Sequence, residues 1–151
     1  MLKVFLVEDE TVIREGLRDR IPWEQYGYRF VGEAADGEMA LPLIRKTKPD
    51  VLITDIKMPG MDGISFMKAV KERGWDDIVF IILTNLEEFN LARQALSLGA
   101  VEYLVKMELT EEKLSEALKL AKERCELTRL ANEKASPGFP SKADRIRRLI
   151  E

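Results

Sequence analysis

Histidine is absent from all 151 residues, and Cys125 is the lone cysteine. Without histidine there is no Ser-His-Asp or Cys-His catalysis, no His-ligated zinc and no HExxH metalloprotease pattern. A single cysteine excludes an internal disulfide and every multi-cysteine metal site. Long hydrophobic runs are missing too. The longest, Ile78 to Leu83, has the length of a strand and not of a membrane span. Val4 to Val7 meets acids at once and is too short for a signal-peptide core. The cytoplasm is the expected location, and no membrane is an expected partner. An excess of positive charge is also lacking. The formal charge of −3 argues against broad, nonspecific nucleic-acid binding by the whole chain.

What is present is ordinary globular composition, 46% hydrophobic and 34% charged, at a length that fits one domain or one domain with a tail. Short apolar runs recur about every 25 residues, the spacing of one βα unit. They are Lys3 to Val7, Tyr28 to Ala34, Val51 to Thr54, Ile78 to Leu83 and Val101 to Val105. Three are almost solid in Val, Ile, Leu and Phe, as strands buried on both faces require. Amphipathic stretches lie between them. Helical spacing puts Val12, Ile13 and Leu17 on one face of Glu10 to Arg18. It does the same for Ala40, Leu41 and Ile44 of Gly37 to Lys46, for Ile64, Met67 and Val70 of Asp62 to Arg73, and for Leu91, Ala95 and Leu98 of Glu87 to Leu98. A fifth helix, from about Glu111 to Asn132, carries the stripe Leu114, Leu118, Ala121, Cys125. That stripe reads as facing the sheet, with a coiled-coil seam as the alternative. Five strands alternating with five helices imply a parallel sheet with right-handed crossovers, and function at the carboxyl ends of its strands.

Those ends carry the chemistry. Glu8, Asp9 and Glu10 follow the first strand, and Asp55 ends the third, its expected neighbour. The acids after the first strand also suit a helix start, and Asp55 alone suits a turn. Carboxylates converging from both strands, however, need a cation, and hard oxygen donors without His or Cys suit Mg2+. Thr84 ends the fourth strand and Lys106 the fifth. A carboxylate nucleophile, a metal and two anion-binding groups are what phosphorylation of an aspartate requires.

At these residues the chain resembles the receiver domain of two-component response regulators. The resemblance rests on Val7-Glu8-Asp9-Glu10, the run Ile53 to Gly63, Leu83-Thr84, Gly99-Ala100 and Tyr103-Leu104-Val105-Lys106. It covers residues 1–125 and implies a flavodoxin-like (βα)5 fold, a three-layer α/β/α sandwich with strand order 2-1-3-4-5. It further implies Asp55 as phosphoacceptor. Asp9, Asp55 and the backbone carbonyl of Lys57 would bind Mg2+ directly, with Glu8 acting through water. Lys106 would pair with the phosphoryl group. Thr84 and Tyr103 would form the switch that reports phosphorylation to the face made by the fourth helix, fifth strand and fifth helix. The implied donor is a sensor histidine kinase, and the implied job is switching, not enzymatic turnover. Homodimers through that face or through the long last helix are the implied self-association.

A narrower resemblance, on Ile13-Arg-Glu-Gly-Leu17, Ile21-Pro-Trp-Glu24, Gly27, Val31-Gly-Glu-Ala34 and Asp36-Gly37, is to regulators with an AraC-type helix-turn-helix output domain. Residues 126–142 then read as an extension of the last helix and a linker containing Ala135-Ser-Pro-Gly-Phe-Pro-Ser141. Residues 143–151 read as the opening of a DNA-binding output domain that this chain lacks. DNA binding is expected only through that domain, because residues 1–136 carry −5.

Three positions depart from the family pattern. Glu8 stands where aspartate is more usual. Asn85 stands where a small residue is common beside the phosphoryl pocket, and an altered phosphoryl lifetime is expected. Met107 replaces a proline that often follows a cis bond. A non-proline cis bond costs about 3–4 kcal/mol, so a trans bond is expected, with a changed turn under Lys106 and a weakened response. The departures at Asn85 and Met107 support the alternative of a degenerate receiver acting as a phosphorylation-independent interaction or dimerisation domain. A haloacid-dehalogenase-like phosphohydrolase would need an aspartate where Lys57 stands. Flavin binding would need a phosphate-cradling loop where Glu8-Asp9-Glu10 stands.

Overall fold

The computed structural model describes residues 1–134. Its elements run β1 (Leu2–Val7), α1 (Thr11–Arg20), β2 (Tyr28–Ala34), α2 (Gly37–Thr47), β3 (Val51–Asp55), α3 (Gly63–Glu72), β4 (Val79–Thr84), α4 (Phe89–Ser97), β5 (Glu102–Val105) and α5 (Glu111–Lys134). Short 3-10 turns at Trp23–Tyr26, Leu86–Glu88 and Lys106–Glu108 join them. The strands form one parallel sheet in the order β2-β1-β3-β4-β5. This is the flavodoxin-like architecture that the resemblance implied, and the parallel sheet that the spacing implied.

Side chains alternate across each strand, and the alternation divides the core in two. Phe5, Val7, Leu52, Phe80 and Ile82 pack beneath α2, α3 and α4. Val4, Leu6, Val51, Ile53, Val79, Ile81 and Leu83 pack beneath α1 and α5. Both faces are therefore covered, which is why the central strands are apolar at nearly every position. In α5, Leu114, Leu118 and Ala121 are buried and Cys125 packs beside them. The stripe faces the sheet, so it is not a seam for a second helix. The Tyr28 hydroxyl donates to the Leu118 carbonyl and ties α5 to β2.

Two local expectations are corrected. Val12 is 85% exposed and does not share the buried face of Leu17. With α1 starting at Thr11, Val12 lies about 100° round the helix from Ile13, whereas Ile13 and Leu17 are nearly aligned. The fourth helix begins at Phe89, because Leu86–Glu88 closes first as a 3-10 turn. The proposed linker from Ala135 and the output-domain opening at 143–151 lie outside the described residues.

Strand β2 holds one feature that periodicity did not reveal. Val4 pairs with Phe30 but Phe5 pairs with Gly32, leaving Val31 as an extra residue. Because side chains alternate with period two, this bulge turns Glu33, the partner of Leu6, towards α1. Gly32 permits it, since a Cβ there would meet the Phe5 ring at 2.7 Å.

Candidate functional site

The carboxyl edge of the sheet gathers five ionisable side chains, Glu8, Asp9, Glu10, Asp55 and Lys106, from beyond or at the ends of three strands. Glu8 continues β1, its N–H donating to Ala34 O at 3.0 Å. Asp55 closes β3. The loop behind it folds back tightly, with Ile56 N–H on Leu83 O at 2.9 Å and Gly63 N–H on Ile56 O at 2.7 Å. A Cβ at Gly63 would lie 2.7 Å from the Asp55 carbonyl oxygen and from Ile56 Cα, so the return admits only glycine. Gly60 turns the loop at φ +81°, a left-handed conformation that glycine adopts without strain. Asp62 then caps α3, accepting from Ser65 N–H at 2.8 Å.

Lys106 leaves β5 and reaches across to the acids. Its Nζ lies 2.8 Å from Asp55 Oδ2, 2.8 Å from Glu8 Oε1 and 3.2 Å from Glu10 Oε1. The Lys106–Met107 peptide is trans, as expected, since the described residues include no cis bond. The turn under Lys106 does not carry its side chain away from the acids. A 3-10 turn over Lys106–Glu108 replaces the proline turn and still delivers the ammonium to Asp55.

Glu8 and Asp55 are almost wholly buried, as is the Lys106 side chain. One ligand oxygen each from Glu8, Asp9 and Glu10 can be found within 4.8 Å of one another. Burial pushes the Asp55 carboxyl up to about 8. The Lys106 ammonium opposes this, and the nearby Glu8 and Asp9 carboxylates add to it. Glu8 is raised as well, burial again outweighing Lys106. For Asp9 burial works in the same direction, but hydrogen bonding with the Asp55 and Glu8 carboxyls and the field of Lys106 outweigh it and lower the carboxyl. Lys106 is raised despite its own burial, because Asp55 and Glu8 hold its proton.

Glu8, Asp9 and Asp55 thus face one ammonium, an imbalance that a divalent cation would neutralise. Glu8 Oε1 is buried without a hydrogen bond, its approach to Lys106 being off any hydrogen-bond direction. A buried carboxylate oxygen that has an ion pair but no hydrogen bond, among all-oxygen donors, fits a hard cation such as Mg2+. Lys57 N–H lies 3.4 Å from Asp55 Oδ1, which places that peptide beside the carboxylate while the side chain points to solvent.

Other expected site residues lie apart from this cluster. Thr84 is buried next to it, but its hydroxyl donates to Asn85 O at 3.0 Å and not to an acid. Tyr103 lies on β5 away from the acids, its ring edge-on to Phe89 with centroids 5.8 Å apart. Asn85 is half-buried, and its N–H donates to Glu88 Oε2 at 3.3 Å. Sequence reasoning placed Glu10 among the acids after the first strand but gave it no partner, and so missed its ion pair with Lys106. It also missed Arg14, whose Nη1 donates to Glu8 O at 2.9 Å. An arginine one turn beyond Glu10 on an amphipathic helix was the available signal.

Comparison with known proteins agrees with this fold. Residues 4–119 match the family model described as the response regulator receiver domain. YesN of Bacillus subtilis, described as an uncharacterized transcriptional regulatory protein, is 38% identical over 106 residues, covering 70% of this chain and 28% of YesN. The transcriptional regulatory protein HptR of Staphylococcus aureus is 35% identical over 106 residues, 70% of this chain and 41% of HptR. The chain therefore spans well under two thirds of these curated relatives. Among solved structures, the receiver domain of AraT, a response regulator from Geobacillus stearothermophilus, superposes with a TM-score of 0.77 at 37% identity, covering 85% of this chain and 98% of that one. A two-component transcriptional regulator AraC from Clostridium phytofermentans gives 0.72 at 27% identity, covering 87% and 99%.

Proposed function

The chain belongs to the response regulator receiver domain family, and from that premise we propose that it is a phosphorylation-switched module that takes a phosphoryl group on Asp55 from a sensor histidine kinase. The observation that carries this reading is Lys106 Nζ, 2.8 Å from both Asp55 and Glu8 at a buried strand edge. A strand-end lysine without such a role would stay in solvent.

In this reading Asp9, Asp55 and the Lys57 carbonyl would hold Mg2+, with Glu8 acting through water. When bound, Mg2+ neutralises charge on phosphoryl oxygens and favours the ionised form of Asp55. An Asp55 oxygen attacks phosphorus in line, and the bond to the donor imidazole breaks on the opposite side. Lys106 exchanges its contact with the free carboxylate for one with a phosphoryl oxygen. The Thr84 hydroxyl leaves Asn85 O and turns to another phosphoryl oxygen. Tyr103, packed on Phe89, is next in line to sense that movement, so α4, β5 and α5 form the output face.

The modification is made once on the protein itself, so the role is that of a switch and not of an enzyme. As with YesN and HptR, transcription regulation is the proposed output, exerted on DNA through a domain beyond the described residues. Self-association is assigned to the α4-β5-α5 face, given that the inner stripe of α5 is occupied by the sheet. Among the described residues no helix is long and apolar enough to cross a membrane, and a cytoplasmic setting is proposed. A phosphorylation-independent role is less well supported, because Met107 does not draw Lys106 away from Asp55.

The test is intact mass after incubation with Mg2+ and a small acyl phosphate, with an Asp55→Asn control. One added phosphoryl group, absent in the control, is the expected result. No adduct on folded protein, with this donor and with a phosphorylated kinase domain, would contradict it.

A further inference from the structure

Asp9, read as a direct metal ligand, lies two residues beyond the end of β1, yet the backbone on both sides of it is fixed. After it, Glu10 N–H donates to Glu8 Oε2 at 3.1 Å. Before it, Glu8 O accepts from Arg14 Nη1 at 2.9 Å. The two peptide planes that flank Asp9, and hence the direction of its side chain, depend on these contacts.

Arg14 is itself held. Its Nε lies 3.9 Å from Glu33 Oε2, and Glu33 Oε1 lies 2.6 Å from Arg18 Nη1, so one carboxylate spans two arginines one turn apart on α1. Glu33 faces α1 only because the bulge at Val31 shifts the register of β2. A side chain, a strand irregularity and a strand-end carbonyl therefore converge on one peptide.

We propose that Arg14, oriented by Glu33, is a positioning residue of the acidic cleft: its guanidinium fixes the Glu8 carbonyl and, through that peptide, the entry of Asp9 into the metal site. This rests on the reading of the cleft as a divalent-cation site. Arg14 touches neither metal nor phosphoryl group in that role.

The proposal has a sign that simple electrostatics opposes. Removing a positive charge near a cation site should tighten cation binding by Coulomb's law. Loss of an outer-shell contact should weaken it, by about tenfold. The experiment measures Mn2+ binding, by the electron paramagnetic resonance of the free ion, to the folded wild type and to Arg14→Met, Arg14→Lys, Glu33→Gln and Asp9→Asn. Arg14→Met should bind Mn2+ about tenfold more weakly. Arg14→Lys should recover part of the loss, since its ammonium can donate to the Glu8 carbonyl but lacks the planar guanidinium fork. Glu33→Gln, far from the metal and partly exposed, should move affinity in the same direction by less, and it carries the test if Arg14→Met does not fold. Unchanged or tighter binding by Arg14→Met, or full recovery by Arg14→Lys, would overturn the positioning role. Unchanged binding by Glu33→Gln would overturn its part in it. Failure of the wild type to bind Mn2+, or binding unaffected by Asp9→Asn, would overturn the metal reading and this proposal with it.

Discussion

The two edges of the same sheet treat polar groups in opposite ways. At the amino edge Asp50 accepts from Lys3 N–H at 2.8 Å, its own N–H donates to Lys3 O at 2.8 Å, and Asn132 of α5 donates to Asp77 at 3.5 Å. Cys125 sits there as a neutral thiol, pushed up to about 11 by burial and then by Asp50. Charges at this edge are half-buried or exposed and are hydrogen-bonded locally. At the carboxyl edge Glu8, Asp55 and Lys106 are buried together, with more acid than base. One edge is built for stability. The other retains a charge conflict that stability alone would have removed, and such conflicts mark sites where a ligand resolves them.

The contrast is broken most severely by removing the one base. Lys106→Met leaves the buried acids unpaired and should cost about 3–5 kcal/mol in urea unfolding without metal, with part restored by Mg2+. Asp55→Asn should act in the opposite direction. Burial holds the Asp55 carboxyl up at about 8 in the folded protein, while in the unfolded chain it titrates near its ordinary 3.8. The folded state therefore binds the extra proton between these values, and wild-type stability contributed by this group falls as pH rises from 4 to 8. Asp55→Asn should be more stable than wild type by about 1–4 kcal/mol at pH 7, with the gap nearly closed at pH 4 and narrowed by Mg2+. Parallel unfolding curves at the two pH values would contradict the burial argument.

The amino edge gives the matched control. Asp50→Asn loses a charge-assisted contact to the Lys3 N–H and should cost about 1 kcal/mol, with Mg2+ affinity unchanged. An effect on Mg2+ binding there would mean that the two edges are coupled. The smallest expected effect is at Asn85. Its backbone N–H serves Glu88 and its carbonyl serves Thr84, and alanine keeps both. Asn85→Ala should therefore change the dephosphorylation rate about 2–5-fold through the amide alone, less than 1 kcal/mol. An unchanged rate would remove Asn85 from the account of phosphoryl lifetime.

Much of this was legible before any coordinates. Strands buried on both faces are written as solid apolar runs, so β3 and β4 were unmistakable, and the acids, Asp55 and Lys106 stood at the ends of runs. What escaped depended on direction and not on position. A one-residue bulge in β2 decides which face Glu33 takes, and no alternation of hydrophobicity marks it. Arg14 and Glu10 reach the cleft with long side chains from positions that read as helix surface. Val12 failed for the converse reason, since an apolar residue in a first turn can overhang the edge without facing the core. The turn at Met107 shows a different limit. The missing proline was visible, but the 3-10 turn that compensates for it was not.

The central claim is that the carboxyl edge is a divalent-cation site whose buried Asp55 carboxyl is held above the ordinary carboxylate range, so that a bound cation displaces a proton. It is tested most directly by calorimetric Mg2+ titration near pH 7 in two buffers of different ionisation enthalpy. The account expects one ion bound with release of close to one proton, and apparent affinity rising as pH approaches about 8. Binding with no proton release, or no binding by folded protein, would contradict it.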